Sequence, residues 1–157
     1  AMALNPKLLI ADEPTTALDV TIQAQILELM KKLQHQNASS LLMITHNLGI
    51  IAELCQRVAV MYAGTIVEMG NVKDVFTSPA HPYTVGLLGA IPSLTTKTER
   101  LSYIPGNVVN SSMIPSGCPF HPRCAHCTEQ CRQEQPPVTA LSAGHYAACW
   151  KGGHIDG

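Results

Sequence analysis

The sequence has little of what marks membrane, secreted or nucleic-acid-binding proteins. It contains no apolar run near the ~20 residues that a bilayer-spanning helix needs, and its first residues lack the regions of a signal peptide. With 10 lysines and arginines against 11 acids, the net charge of −1 provides no positive field for nucleic acid. Only 4% of the residues are aromatic, so any core is expected to be mainly aliphatic.

The apolar pattern instead predicts an α/β fold. A strand over Lys7–Ala11 precedes an amphipathic helix from about 20 to 36, and a second, buried strand follows over Leu41–Thr45. A short helix, Leu48–Cys55, then leads to two strands that flank the turn Ala63-Gly64. A strand-helix-strand unit followed by a hairpin indicates an α/β sheet with an antiparallel edge.

Two adjacent acids, Asp12 and Glu13, end the first predicted strand. Neighbouring side chains on a strand point to opposite faces, so the two carboxylates cannot share one task. Ligands of open α/β sheets collect at the carboxyl ends of parallel strands. There, one acid can serve Mg²⁺ and the other can orient or deprotonate a water, which is what phosphate-transfer chemistry needs.

Two further motifs follow. Thr16-Ala17-Leu18-Asp19 comes directly after the acids, and the second strand ends in His46. In this order, the three motifs resemble the Walker B, D-loop and H-loop of an ABC-transporter ATPase. The resemblance implies a partial P-loop NTPase sheet of the ABC type with flanking helices, and it implies ATP and Mg²⁺ as ligands.

The resemblance also implies a role for each polar residue. Asp12 would hold Mg²⁺ through its water shell, Glu13 would be the general base or polariser of the attacking water, and His46 would contact the γ-phosphate. Asp19 would lie where two such domains meet head to tail. Two plainer interpretations stay open: Asp19 as only an N-cap, and His46 as a structural loop residue.

Some parts of an ATP site are missing from the sequence. A P-loop needs Gly-x-x-x-x-Gly-Lys-Ser/Thr, and the sequence contains no Gly-Lys pair. It also lacks the Leu-Ser-Gly-Gly-Gln signature of the ABC family. We therefore expect the chain to correspond to the carboxyl-terminal half of such a protein, as a fragment or truncated product, and to be inactive in ATP hydrolysis by itself.

Five of the six cysteines fall within Cys118–Cys149, in a segment (117–150) predicted to be loop-like. In a reducing compartment such a cluster indicates metal ligands rather than disulfides. Zinc sites most often show two Cys-x-x-Cys pairs, but only Cys124 and Cys127 have that spacing. The uneven gaps suit an iron–sulfur cluster, although spacing alone leaves zinc open, as well as disulfides formed in air.

A second resemblance bears on these cysteines. His81-Pro82-Tyr83-Thr84 and the segment Cys118–Cys124 are similar to the carboxyl-terminal extension of bacterial dipeptide/oligopeptide importer ATPases. That resemblance implies a [4Fe–4S] cluster, with Cys127 as an extra thiol. It implies four ligands: Cys118, Cys124, Cys131 and Cys149. Residues 1–78 would then be the carboxyl-terminal part of the nucleotide-binding domain, and residues 79–157 the extension.

The function implied by the resemblance is that of an energy-coupling ATPase subunit for import of di- and oligopeptides. Its partners would be a second ABC ATPase subunit, transmembrane permease subunits and, indirectly, a periplasmic peptide-binding protein, with no nucleic acid. It would lie on the cytoplasmic face of a bacterial inner membrane. The alternative is a non-enzymatic metal-binding or docking module that holds iron–sulfur or Zn²⁺. An α/β hydrolase is disfavoured because the sequence has no Gly-x-Ser-x-Gly motif.

Overall fold

A computed structural model describes residues 6–91, 103–109 and 113–152, which form two compact units divided after Cys55. The division falls earlier than the predicted domain boundary after Ser78, which was drawn from family resemblance and stays a prediction. None of the helices in these ranges is long and apolar enough to cross a membrane.

The first unit is a strand-helix-strand crossover, as predicted. Its elements are β1 (Leu8–Asp12), α1 (Val20–Asn37), β2 (Ser40–Ile44) and α2 (Leu48–Leu54). The two strands pair in parallel, with Leu8 opposite Ser40 and Asp12 opposite Ile44, so their carboxyl ends share one edge. This register brings the residues that follow the two strands together.

Apolar residues of the first unit cover only one face of the two strands. Leu27 of α1 packs with Ile50 and Leu54 of α2, and Leu41 and Met43 of β2 lie against this cluster. The alternate strand residues are exposed: Leu8, Ile10, Leu42 and Ile44. The prediction that β2 is a buried strand is therefore wrong: Ser40, Leu42 and Ile44 are exposed and the two residues between them are half-buried, because side chains alternate between faces and the described residues cover only one face.

The second unit is built on an antiparallel sheet. Its strands are β3 (Arg57–Tyr62), β4 (Thr65–Asn71), β5 (Thr139–Ser142) and β6 (His145–Ala147), in the order β3-β4-β6-β5. The hairpin between β3 and β4 is confirmed, but the prediction that it forms the antiparallel edge of the β1–β2 sheet is wrong, because β3 and β4 pair in this separate sheet. Ala63 and Gly64 both have positive φ, 46° and 79°, which gives the turn the twist that two-residue hairpins favour.

Short helices surround this sheet. They are α3 (Val72–Thr77), α4 (Pro82–Gly89), a 3₁₀ turn (His121–Arg123) and α5 (Glu129–Gln133). The segment 117–150 is therefore more regular than the loop that the sequence predicts. The reason is long-range pairing of β6 with β4, in which Ala147 lies opposite Glu68. Most of the predicted linker over 92–116 lies outside the described residues.

The core of the second unit joins the sheet to the cysteine-rich segment. Val60 and Val67 of the sheet are buried in one cluster with Val75, Cys118 and Phe120. The Phe120 ring also packs against two tyrosine rings, at centroid distances of 5.2 Å from Tyr62 and 5.5 Å from Tyr83. Such aromatic pairs add to the stabilisation that burial provides.

A buried carboxylate connects three elements of the same unit. Glu68 of β4 is only 1% exposed. One oxygen accepts hydrogen bonds from Ala80 N at 2.9 Å and from His145 Nε2 at 2.8 Å, and the other accepts from His81 N at 2.9 Å. These bonds fasten β6 and the start of α4 to the centre of the sheet, and they satisfy an otherwise costly buried charge.

Candidate functional site

The carboxylate of Glu13 joins the ends of β1 and β2. Glu13 N donates a hydrogen bond to Ile44 O at 2.8 Å, which continues the parallel ladder by one residue. The Glu13 side chain accepts from His46 N at 3.2 Å and lies 2.8 Å from His46 Nδ1 through the same oxygen, Oε1. Thr16 Oγ1 donates to the other oxygen at 2.9 Å. The two residues predicted to be catalytic therefore lie together.

The backbone of Glu13 is in an unusual conformation. Its φ is 45°, in the left-handed region that non-glycine residues rarely adopt. Such a conformation costs on the order of 1 kcal/mol, and it occurs in turns, as at Ala63, as well as at functional sites. Here the left-handed turn ends the strand, and the Glu13 side chain contacts the residue that follows β2. The unusual backbone conformation thus occurs at the residue whose side chain contacts His46.

Hydrogen bonding controls the charge of this carboxylate. The bond from the His46 side chain, followed by that from Thr16, lowers the pKa of Glu13 below its usual value. Glu13 is therefore an anion at neutral pH, and these hydrogen bonds favour its charged form. The His46 side chain is 83% exposed, and because Nδ1 faces the carboxylate, Nε2 is the ring nitrogen left for a ligand.

Asp12 and Asp19, the other two acids predicted to be functional, are not hydrogen-bonded to Glu13 or His46 among the described residues. Asp12 is exposed at the end of β1, and Asp19 is the N-cap of α1, where its side chain accepts from Ile22 N at 2.9 Å. Within 6–91, no hydrogen bond or ion pair links either acid to Glu13 or His46. The capping interpretation of Asp19 is confirmed, and the metal and dimer roles of the two acids stay predictions.

A second site is a pocket in the cysteine-rich segment, which we call the cysteine pocket. All four predicted ligands line it: Cys118, Cys124, Cys131 and Cys149. The remaining lining residues are His81, Pro82, Phe120, His121, His126, Pro136, Trp150 and Lys151. Cys127 is not among them, and its Sγ instead donates to Thr128 O at 3.4 Å. The structure thus separates the extra thiol from the four that were predicted as ligands.

Burial and hydrogen bonding act in opposite directions on the pKa values of three pocket thiols. Burial raises the pKa values of Cys118 and Cys149, and raises that of Cys124 to about 11. Backbone N–H groups act the other way by stabilising the thiolate forms: those of Phe120 and His121 at Cys118, that of His126 at Cys124, and those of Lys151 and Gly152 at Cys149. Burial thus favours the neutral thiols of Cys118, Cys124 and Cys149, whereas the backbone donors at these three residues favour the thiolates.

The predicted metal site itself is not supported. Among the residues that the structure describes, no group of three or more His, Cys, Asp or Glu side chains is arranged to hold a metal ion. The four thiols line one pocket without converging on one point. What the structure establishes is a shared pocket for four cysteines, and not a metal centre.

Sequence reasoning missed the buried groups beside this pocket. His81 is 1% exposed, and its Nδ1 accepts from Tyr83 N at 3.1 Å, so the ring caps α4. Burial lowers the pKa of His81 to about 4. Pro82 at the start of a helix was a usable signal for the cap. Nothing local marks Glu68 or His145, because an isolated polar residue in a strand is normally taken as solvent-exposed.

The chain is similar to known transport proteins over most of its length. Residues 67–131 match the family described as "Oligopeptide/dipeptide transporter, C-terminal region". The oligopeptide transport ATP-binding protein OppD of Salmonella typhimurium is 52% identical over 153 residues, which cover 96% of this chain and 45% of that protein. The dipeptide transport ATP-binding protein DppD of Escherichia coli is 48% identical over 149 residues, which cover 95% and 46%.

A solved structure of cbiO1 from Clostridium perfringens, part of the ABC transporter complex cbiONQ, is 33% identical with a TM-score of 0.44, over 54% of this chain and 34% of that one. The chain spans about half the length of the curated relatives it matches. Over nearly all of its own length, the chain is similar to the ATP-binding proteins of oligopeptide and dipeptide transport, and the resemblance predicted from its motifs is confirmed.

Proposed function

We propose that this chain supplies the carboxyl-terminal half of an energy-coupling ATPase subunit of an ABC importer for di- and oligopeptides. The contact between Glu13 and His46 is the observation that carries the proposal. It lies at the shared carboxyl edge of two parallel strands, where α/β proteins bind phosphates and other ligands. Similarity to OppD and DppD proteins supports the transport of peptides as the task.

In this proposal the two residues have separate tasks. Glu13 is a carboxylate at the edge of the strands, anionic at neutral pH, and its task here is to orient or polarise the attacking water. The same carboxylate holds the His46 ring by Nδ1, and in the doubly protonated ring Nε2 can donate to a terminal phosphate. The loss of either partner would therefore affect the other.

The remaining acids have supporting tasks in this proposal. Asp12, exposed at the end of β1, is placed to hold Mg²⁺ through its water shell, and carboxylate oxygen is the ligand type that this ion prefers. When bound, Mg²⁺ neutralises charge on the phosphate oxygens of ATP. Asp19 keeps its capping bond to α1 and lies on an exposed loop that a second ATPase subunit can reach.

The proposed assembly contains several partners. A second ABC ATPase subunit completes the ATP site, and transmembrane permease subunits carry the peptide. A periplasmic peptide-binding protein acts at one remove. The subunit then works on the cytoplasmic face of a bacterial inner membrane, and its net charge of −1 gives it no attraction for nucleic acid.

A chimera tests the ATPase proposal. The amino-terminal half of Salmonella typhimurium OppD, which by family resemblance carries the P-loop, is joined to this chain at the point where their alignment begins. Together with the second ATPase subunit that completes its site, the chimera should hydrolyse ATP, and the 157-residue chain with the same subunit should not, because it lacks a phosphate cradle. ATP turnover by the chain alone, or a folded chimera without turnover, would contradict the proposal.

We also propose that the cysteine pocket holds a [4Fe–4S] cluster through Cys118, Cys124, Cys131 and Cys149. All four line one pocket, and backbone N–H groups at three of them suit thiolate ligands. One Zn²⁺ would need four sulfurs about 2.3 Å from a single point, and it is the alternative occupant. A cluster spreads its ligands over four irons, and bound iron would ionise the buried thiols.

Iron and sulfide analysis tests the cluster. Protein prepared without oxygen should be brown and should contain iron and acid-labile sulfide in equal amounts. Cys118→Ser and Cys149→Ser should bleach it. Cys127→Ser is the matched control and should keep the colour, because Cys127 does not line the pocket. Stoichiometric zinc without sulfide would contradict the cluster and favour a zinc site.

A further inference from the structure

We propose that α4 and the 3₁₀ turn form a docking site for an extended peptide segment, and that residues 103–109 occupy this site as a resident ligand. We call these residues the strap. The strap and the docking site belong to the same compact unit. An outside segment of the same chemistry, uncharged and with a branched apolar residue before Pro-Gly, should replace the strap. The site needs neither the proposed ATPase role nor the proposed cluster.

The guanidinium of Arg123, in the 3₁₀ turn, holds the backbone of the strap. Its Nε donates to Pro105 O at 2.9 Å, and its Nη2 donates to Ile104 O at 3.0 Å. Its Nη1 lies 3.5 Å from Tyr62 Oη at the end of β3. Among the described residues Arg123 forms no ion pair, so its donors serve carbonyl oxygens rather than an acid. Such main-chain hydrogen bonds are the usual source of affinity for an extended peptide.

The anchor side chain of the strap lies against a glycine of α4. A Cβ built on Gly86 would lie 2.7 Å from Cγ1 of Ile104, so the missing side chain of Gly86 provides the space that Ile104 fills. Ile104 is half-buried and packs against the core cluster of the second unit, as does Val109 at the other end of the strap. Because pockets for individual side chains give peptide sites their specificity, this site should select a branched apolar residue.

The strap sequence suits the role of a ligand. Pro105 fixes its own φ and disfavours a helical conformation at Ile104, so the segment is extended before it binds. This restriction lowers the conformational entropy that binding costs. Gly106 has a φ of 80°, and a Cβ there would lie 3.4 Å from Cγ of Arg123, so the backbone passes close to the arginine.

Few contacts attach the strap to the rest of the unit. Among the described residues, no backbone–backbone hydrogen bond joins it to the sheet, and its hydrogen bonds to the rest of the unit come from Arg123. Five of its seven residues are exposed, including Tyr103 at 82% and Val108 at 75%. A segment with so few contacts opens locally while the remaining fold persists, which allows an outside segment to take its place.

A labelled peptide tests the site. The peptide contains residues 103–109 with blocked ends and a fluorophore, and fluorescence anisotropy follows its binding to the reduced, metal-free chain. The wild-type chain should bind it weakly, because its own strap competes at an effective concentration on the order of 1 mM. Ile104→Ser in the chain removes the anchor of the competing strap and should lower the apparent Kd about tenfold.

Two substitutions in the Ile104→Ser chain locate the bound peptide. Arg123→Met should raise the Kd at least about tenfold, because it removes two charge-assisted hydrogen bonds. Arg132→Met is the matched control and should leave the Kd unchanged, since Arg132 is exposed on α5. Gly86→Ala should also weaken binding about tenfold, although alanine favours a helix more than glycine does, so a loss of α4 cannot be the cause.

Three results would overturn the inference. The first is no binding of the peptide to an Ile104→Ser chain whose circular dichroism matches that of the wild type. The second is binding that survives both Arg123→Met and Gly86→Ala, which would place the peptide elsewhere. The third is equal affinity of the wild-type and Ile104→Ser chains, which would show that the strap does not occupy the site in solution. None of these results bears on ATP turnover or on iron content.

Discussion

Replacement of Glu68 by Gln exchanges one carboxylate oxygen for an amide nitrogen, and it should strongly destabilise the second unit. The carboxylate is 1% exposed and accepts from three donors: Ala80 N, His81 N and His145 Nε2. Glutamine has nearly the same shape but offers one accepting oxygen in place of two. Glu68→Gln therefore separates the loss of hydrogen bonding from the creation of a cavity.

The magnitude follows from the donors. The amide oxygen can replace Oε1, which serves Ala80 and His145, but the amide NH₂ then faces His81 N–H. An unsatisfied buried donor costs about 1–3 kcal/mol, and the loss of charge from the other two bonds costs about 1 kcal/mol more. We expect a loss of about 3 kcal/mol from the free energy of unfolding, a large share of what a domain of this size has.

Urea unfolding of reduced, metal-free protein measures this loss. Trp150 is the single tryptophan and donates to Glu134 O in the second unit, so its fluorescence reports on that unit. With a slope of about 2 kcal/mol per M, the midpoint should fall by about 1.5 M. Glu129→Gln is the control, since Glu129 is exposed and its pair with Arg132 is long at 3.8 Å. A Glu68→Gln midpoint equal to the control would refute this account of the network.

Three further outcomes are expected. His46→Ala should raise the pKa of Glu13 back toward its usual value, so that the ¹³C shift of the Glu13 carboxyl titrates at higher pH. An unchanged titration would show that Glu13 and His46 are not in contact in solution. Thr84→Val should add about 1 kcal/mol of stability in urea unfolding, because the buried Thr84 hydroxyl has no hydrogen-bond partner among the described residues, and a loss would contradict this. The exposed face of β1 and β2 should drive self-association in light scattering, and Leu42→Thr should lower the measured mass; a monomeric wild type would count against it.

The first unit could be predicted because its pattern is local. Helical spacing over α1 and two short apolar runs define a strand-helix-strand crossover, and the parallel arrangement brings the ends of the runs together. The proximity of Glu13 and His46 follows from this topology alone. Its geometry does not, because neither the left-handed φ of Glu13 nor its contacts with His46 and Thr16 leave a mark in the residue pattern.

The second unit was harder to predict because its order comes from distant residues. His145 is 77 residues from Glu68, and β5 and β6 are too short to show an alternating pattern. The sequence predicts a loop-like segment around the cysteines. The structure instead buries Cys118 and Phe120 in the core of the sheet, so packing against distant residues contributes to the order of the segment.

The central claim is that Glu13 performs chemistry at an ATP site rather than structural support. In the chimera with the amino-terminal half of OppD, Glu13→Gln removes the base without removing a phosphate contact. Bound ATP should be retained while turnover falls at least about 100-fold. Glu28→Gln, at an exposed position on α1, should leave both unchanged. Turnover that survives Glu13→Gln, or ATP binding that is lost with it, would contradict the account.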